Sequence, residues 1–224
     1  MIDNLSFQRP YLCEPPKRFS ARQNRLHHVL QLGLNGIYFA YIRLREGLIN
    51  ISPLNDYEEL SYRTPIWPDA ISVVDNAHRV AEALWTFPGL SGGSRRMIHE
   101  FNQLMQAAKE FRNHLQHPER FGRTDYDAPA LGFISWKYHW EPIEYGKFTY
   151  RILGTTRLPG AHWEYDLLAP KLNSDGAFVP VGEISYHLGG GEKLSLCEIF
   201  LAVTSFAKTY EQILPLIRDD RLRA

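Results

Sequence analysis

Apolar residues recur at steps of three and four along four stretches of this chain. Leu26, Val29, Leu30, Gly33, Ile37, Ala40, Tyr41, Leu44 and Leu48 trace one helix face without a break. Ser20 with Gln23 fits a capping box at its start. Gly33 and Ala40 fall inside the apolar stripe and Gly36 close to it, so a second helix is expected to approach closely there. That approach offsets part of the roughly 1 kcal/mol a glycine costs in a helix. A second helix is expected from about Pro68 to Trp85, with Ile71, Val74, Ala77, His78, Ala81, Leu84 and Trp85 on one side. Pro68 suits a first turn and Asp69 complements the helix dipole. The stretch Ser94–Pro118 reads as one further amphipathic helix, with Phe101, Leu104, Met105, Ala108, Phe111 and Leu115 on its apolar face. Proline disfavours helical dihedrals in the residue before it, so this helix should stop at or just before His117. The last helix opens on Ser195 and Glu198 and runs through Leu196, Ile199, Phe200, Val203, Phe206, Ala207, Tyr210, Ile213, Leu214 and Ile217, with Pro215 straining or ending it.

Between the third and fourth helices the pattern changes. Leu131–Lys137, Lys147–Leu153, His162–Leu168 and Ala177–His187 are short runs of aromatic and β-branched residues separated by turn residues, as in antiparallel strands. The expected fold class is therefore α+β: a four-helix-bundle-like core with an antiparallel β section inserted before the last helix. Three amphipathic helices alone would leave a stripe uncovered. A single composite domain follows, with its helical core over about 20–118 and 192–218, its β section over about 126–190, and residues 1–19 as an extended, proline-bearing arm.

Composition narrows the function classes. The 224 residues hold 25 Lys and Arg against 25 Asp and Glu, so the chain is neutral overall and is not a general coat for nucleic acid. Any nucleic-acid contact must be local. Lys17, Arg18, Arg22 and Arg25 form one basic cluster and Arg218, Arg221 and Arg223 another, and each taken alone reads as solvated surface. Cys13 and Cys197 belong to no disulfide or zinc pattern. The start MIDNLSFQRPYLC has no basic segment followed by an apolar run. The longest apolar stretch, Val29–Leu44, is interrupted by Asn35 and Arg43. A cytoplasmic protein without a membrane span is the expectation.

The candidate chemistry sits at the end of the third helix, in Arg112-Asn113-His114-Leu115-Gln116-His117. A histidine can move protons near neutral pH, and the negative end of the helix dipole favours its charged, acidic form. An arginine's planar fork suits phosphate oxygens. Asn113 and His117 are one turn apart, so the amide can orient the imidazole. Arg112 and His117, five positions apart, differ by roughly 140° on an ideal helix, so they converge only if the last turn unwinds or a partner chain supplies one of them.

The R-N-x-x-x-H arrangement resembles the signature of the HEPN (higher eukaryotes and prokaryotes nucleotide-binding) superfamily. The same arginine–histidine spacing recurs at Arg22/His27 and Arg157/His162, but without the asparagine and without the position at a helix end. The resemblance implies a helical bundle whose motif pairs with its copy across a homodimer. It also implies metal-independent ribonuclease activity with no cofactor, of a toxin or phage-defence type, and with it an antitoxin-like protein partner. Arg112 would hold the phosphate, His117 would act in acid–base catalysis and Asn113 would orient the site. Other members are non-catalytic, so a helical interaction or nucleotide-binding module of the same fold stays open. So does a globular protein unrelated to the family, since the β section has no counterpart in the minimal family fold.

Other groupings carry less. His99-Glu100 starts like a metalloprotease motif, but Gln103 stands where the second histidine belongs. His114 and His117 have no carboxylate or cysteine at ligand spacing, so no metal is expected. Ser94, Arg95 and Arg96 follow a glycine pair at a helix start and could meet a phosphate or RNA, against the plainer reading of a flexible connector. Gly189–Lys193 lacks phosphate-loop spacing. Asp75 and His78 could face the polar cluster, though a satisfied pair is the plainer reading. Trp136, Tyr138, Trp140, Tyr145, Tyr150 and Trp163 could stack on bases but more readily pack a sheet.

Overall fold

The structure, a computed structural model, describes residue 12 and residues 14–50, 66–116, 133–138, 148–153, 181–188 and 192–218. The expected strand His162–Leu168, Cys13 and His117 lie outside them. The described elements are α1 (Ala21–Asn50), α2 (Ile66–Thr86), α3 (Gly92–Met97), α4 (His99–Gln116), β1 (Phe133–Tyr138), β2 (Phe148–Leu153), β3 (Val181–His187), β4 (Lys193–Ser195) and α5 (Leu196–Ile213), followed by a 3-10 turn at Leu214–Leu216.

The expected α+β arrangement is what forms: a helical bundle with an antiparallel sheet before the last helix. α1 starts at a reciprocal capping box, in which the Gln23 backbone N–H donates to Ser20 Oγ (3.2 Å) and the Ser20 N–H donates to Gln23 Oε1 (3.0 Å). α1 and α2 lie antiparallel and very close. A Cβ built on Gly33 would stand 2.6 Å from Val80 Cγ2, and one on Gly36 would stand 2.7 Å from the Asn76 amide. A methyl at Gly33 would press on the branched Val80, whereas one at Gly36 would have to move the Asn76 amide aside. α5 closes the bundle through aromatic stacking: Tyr41 of α1 on Phe200 (centroids 4.3 Å apart, planes 19°), and Phe101 of α4 on Phe206 (3.9 Å, 14°). Ser195 Oγ accepts from the Glu198 N–H at the start of α5, and Pro215 turns its end into the 3-10 turn.

One expectation needs correction. Ser94–Pro118 is not one helix. Ser91 caps the short α3 by accepting from the Ser94 N–H. Ile98, buried at the junction, leaves helical geometry (φ −105°, ψ 6°) before α4 begins at His99. The buried face of α4 is Met105, Ala108, Phe111 and His114, so a histidine ends it.

The sheet has the order β2-β1-β3-β4, every pair antiparallel, with a bulge between Ser135 and Lys137 of β1. Ile134, Trp136, Ile184, Tyr186 and Leu194 join the helical residues in one continuous apolar core. Trp136 therefore packs the sheet, its plainer reading. Tyr186 meets Trp67 at the start of α2 (5.8 Å) and Phe111 near the end of α4 (5.5 Å), which sets the sheet against the end of the bundle where Arg112 lies. On the other strand face Ser135 Oγ lies 2.7 Å from His187 Nε2.

Candidate functional site

The residue following Phe111 reaches sideways, along α2. Phe111 anchors α4 to the core, and one position on, Arg112 places its Nε 3.3 Å from Asp75 Oδ1. The side chains are 29% and 35% exposed, so this pair lies at the surface seam between the two helices. The Arg112 Nε is itself enclosed and makes no aligned hydrogen bond. Its guanidinium is held by charge and shape, and its other nitrogens take no second ion pair among the described residues.

His78 completes the cluster, one turn after Asp75 on the same helix. Burial pushes its imidazole below the ordinary histidine value. Arg112 pushes the same way and Lys109 adds to it, against Glu82 and Asp75. Its Nδ1 is enclosed and unbonded. The imidazole is thus neutral at neutral pH, beside a guanidinium that remains charged: a proton acceptor next to an anion-binding fork. No described group of three histidine, cysteine or carboxylate side chains could hold a metal ion.

The other expected site residues are distributed around this seam. Asn113 is exposed, turned about 100° from Arg112 on the helix. His117, the expected acid–base group, lies outside the described residues. His114 faces inward and belongs to the core. Arg95 and Arg96 are exposed on α3, at the opposite end of α4. Ser94, expected as a phosphate contact, is fully buried with its Oγ 3.1 Å from Ser91 Oγ. It serves the cap of α3, so its hydroxyl does not face solvent. In the sequence, Asp75 and His78 are equally compatible with a satisfied pair and with a partner for Arg112. The signal available was their one-turn spacing on the side of α2 that carries Ile71 and Val74.

No protein-family model matches the chain, no curated protein matches its sequence, and no solved structure matches its fold. Among the described residues, no helix is long and apolar enough to cross a membrane.

Proposed function

We propose that this chain is a HEPN-like, metal-independent ribonuclease that works as a homodimer. Arg112 holds the scissile phosphate, His117 transfers the proton and Asn113 orients the site. The observation that carries this reading is the seam between α2 and α4: a half-exposed guanidinium paired with Asp75 beside the neutral imidazole of His78. Cleavage of RNA without metal needs three things. A base takes the 2′-hydroxyl proton as O2′ attacks phosphorus. A cation holds the charge gathering on the phosphate oxygens. An acid protonates the 5′ oxygen as the P–O5′ bond breaks, leaving a 2′,3′-cyclic phosphate. A neutral His78 suits the first task, Arg112 the second, and a histidine at the helix end, where imidazolium is favoured, the third. Such a site needs no cofactor. A toxin or phage-defence role, with an antitoxin-like protein partner, belongs to the same reading.

Purified protein is expected to cleave RNA in the presence of EDTA. His117→Ala and Arg112→Ala should each lower the rate by at least about 100-fold, the usual scale for acid–base and oxyanion groups, with little change in melting temperature. RNA left intact by well-folded wild type overturns the proposal.

A non-catalytic interaction module is favoured by a different observation. Val29, Leu32 and Phe39 are exposed along α1, Leu32 at 73%. Under that reading the protein assembles with a partner and leaves RNA uncut.

A further inference from the structure

Gln23 is fully buried, and its side chain ties together parts of the chain that are nearly 200 positions apart. Its amide nitrogen donates to the carbonyls of Pro88 (3.2 Å) and Arg218 (2.8 Å). The Arg218 N–H returns a bond to the Gly89 carbonyl (3.2 Å), and Arg18 donates to the Leu214 carbonyl (2.6 Å). The start of α1, the end of α2, the turn into α3 and the end of the 3-10 turn therefore meet at one end of the bundle. Arg218, the described member of the second basic cluster, is brought there to the first cluster.

The charge balance at this end differs from that of the chain. Segments 14–25, 89–97 and 211–218 contain seven cations and two acids, Glu14 and Glu211, in a protein whose formal net charge is zero. Lys17, Arg22, Arg95, Arg96 and Arg218 are all exposed, and their side chains take no hydrogen bond or ion pair among the described residues. Arg95 and Arg96 follow Gly89 by an extended tripeptide and about one helical turn, so their backbones lie within about 16 Å of it. Like charges gathered in excess of their counterions repel one another, and a polyanion relieves that repulsion while releasing its own counterions. Residues 219–224 hold two acids and two arginines and lie outside the described residues.

We infer that this end of the bundle, around Gln23, is a binding surface for the sugar–phosphate backbone of single-stranded RNA. The inference rests on the ribonuclease reading only for the choice of RNA as the polyanion. Arginine predominates, and its fork matches phosphate oxygens in pairs. The cations come from separate segments around helix ends, not from the flank of one helix with an apolar face, as an interfacial membrane anchor requires. Arg96 and Arg112 are separated by nearly the whole of α4, about 20 Å. RNA held here would thus have to run along the bundle to reach the seam.

The probe is a fluorescent 2′-O-methyl oligonucleotide, which can bind but cannot be cleaved. Wild type should bind it at about 50 mM salt and lose at least tenfold in affinity by about 200 mM, as expected when three or more phosphates are neutralised. Arg22→Glu combined with Arg95→Glu and Arg96→Glu should weaken binding at least tenfold with an unchanged melting temperature, because none of these side chains serves the Gln23 contacts. His117→Ala should bind like wild type. Absence of binding at low salt overturns the inference. So does affinity that the triple charge reversal leaves unchanged, or binding to phosphatidylserine vesicles with none to the oligonucleotide. Salt-sensitive binding that the charge reversal abolishes, by a protein that never cleaves RNA, supports the surface and removes the nuclease. Cleavage with normal affinity in the charge-reversed variant does the opposite.

Discussion

Arg112 and Asp75 approach to 3.3 Å, but a pair this exposed, without an aligned hydrogen bond, stabilises the fold by no more than about 1 kcal/mol. Packing alone therefore gives little reason for an arginine at this point, whereas an anion arriving at the seam would. His78 reports on the same seam. In the unfolded chain its imidazole titrates at the ordinary value of 6.5, and in the fold burial and Arg112 hold it lower. Between the two values the unfolded state binds the extra proton, so stability rises with pH across that window and is lost as pH falls through and below 6.5. His78→Gln removes this dependence. The melting temperature of wild type relative to the variant should hold near pH 7.5 and fall as the pH is lowered through 6.5 towards 5, and a constant difference would show that the seam does not perturb the histidine. The motif residues themselves were visible from spacing. Direction was legible only in part: Met105, Ala108 and Phe111 continue by threes to His114, so the inward histidine could be read from the period, while the turn of Arg112 towards α2 depends on a partner helix.

Helix existence followed closely from apolar period and caps, because α1, α2 and α5 each bury a single stripe and begin at residues suited to a first turn or a cap. The break at Ile98 did not, since an isoleucine continues the apolar pattern whether or not the axis bends beneath it. β4 was missed for a similar reason: three residues are too few to show alternation, and Ser195 was already occupied as the cap of α5. The glycines of α1 were readable, and their consequence can be measured. Gly33→Ala gains about 1 kcal/mol of helix propensity. It also drives a methyl into Val80, a buried β-branched side chain with little freedom to move. Overpacking of this kind costs about 1–3 kcal/mol. The net effect should be a lowered melting temperature, and Val80→Ala in the Gly33→Ala background should cost less than Val80→Ala alone, because the new methyl fills the space that the valine vacates. Additive losses would mean that the two helices do not touch there.

At the scale of the whole molecule, the fold is closed by polar groups as well as by its core, and no local pattern announces this. Ser20 and Gln23 were recognisable as a capping box, which uses the Gln23 Oε1; the partners of its Nε2 are 65 and 195 positions away. Gly89 belongs to the same junction. Its φ of 82° is one that side-chain-bearing residues rarely adopt, and a Cβ there would stand 2.1 Å from the Arg218 carbonyl oxygen. Gln23→Ala deprives the Ser20 N–H and the two carbonyls of a partner in a buried place, at a cost of about 2–4 kcal/mol. Most of that loss should be local, because the stacked aromatics of α1, α4 and α5 do not depend on the amide. Hydrogen exchange is therefore expected to quicken at the N–H groups of Ser20, Ile217 and Arg218 in the variant, with Phe206 and Met105 nearly unchanged. Uniform loss of protection would make Gln23 a support of the global fold. If the junction does hold the basic segments together, the same substitution should also lower affinity for uncleavable RNA without removing a single positive charge.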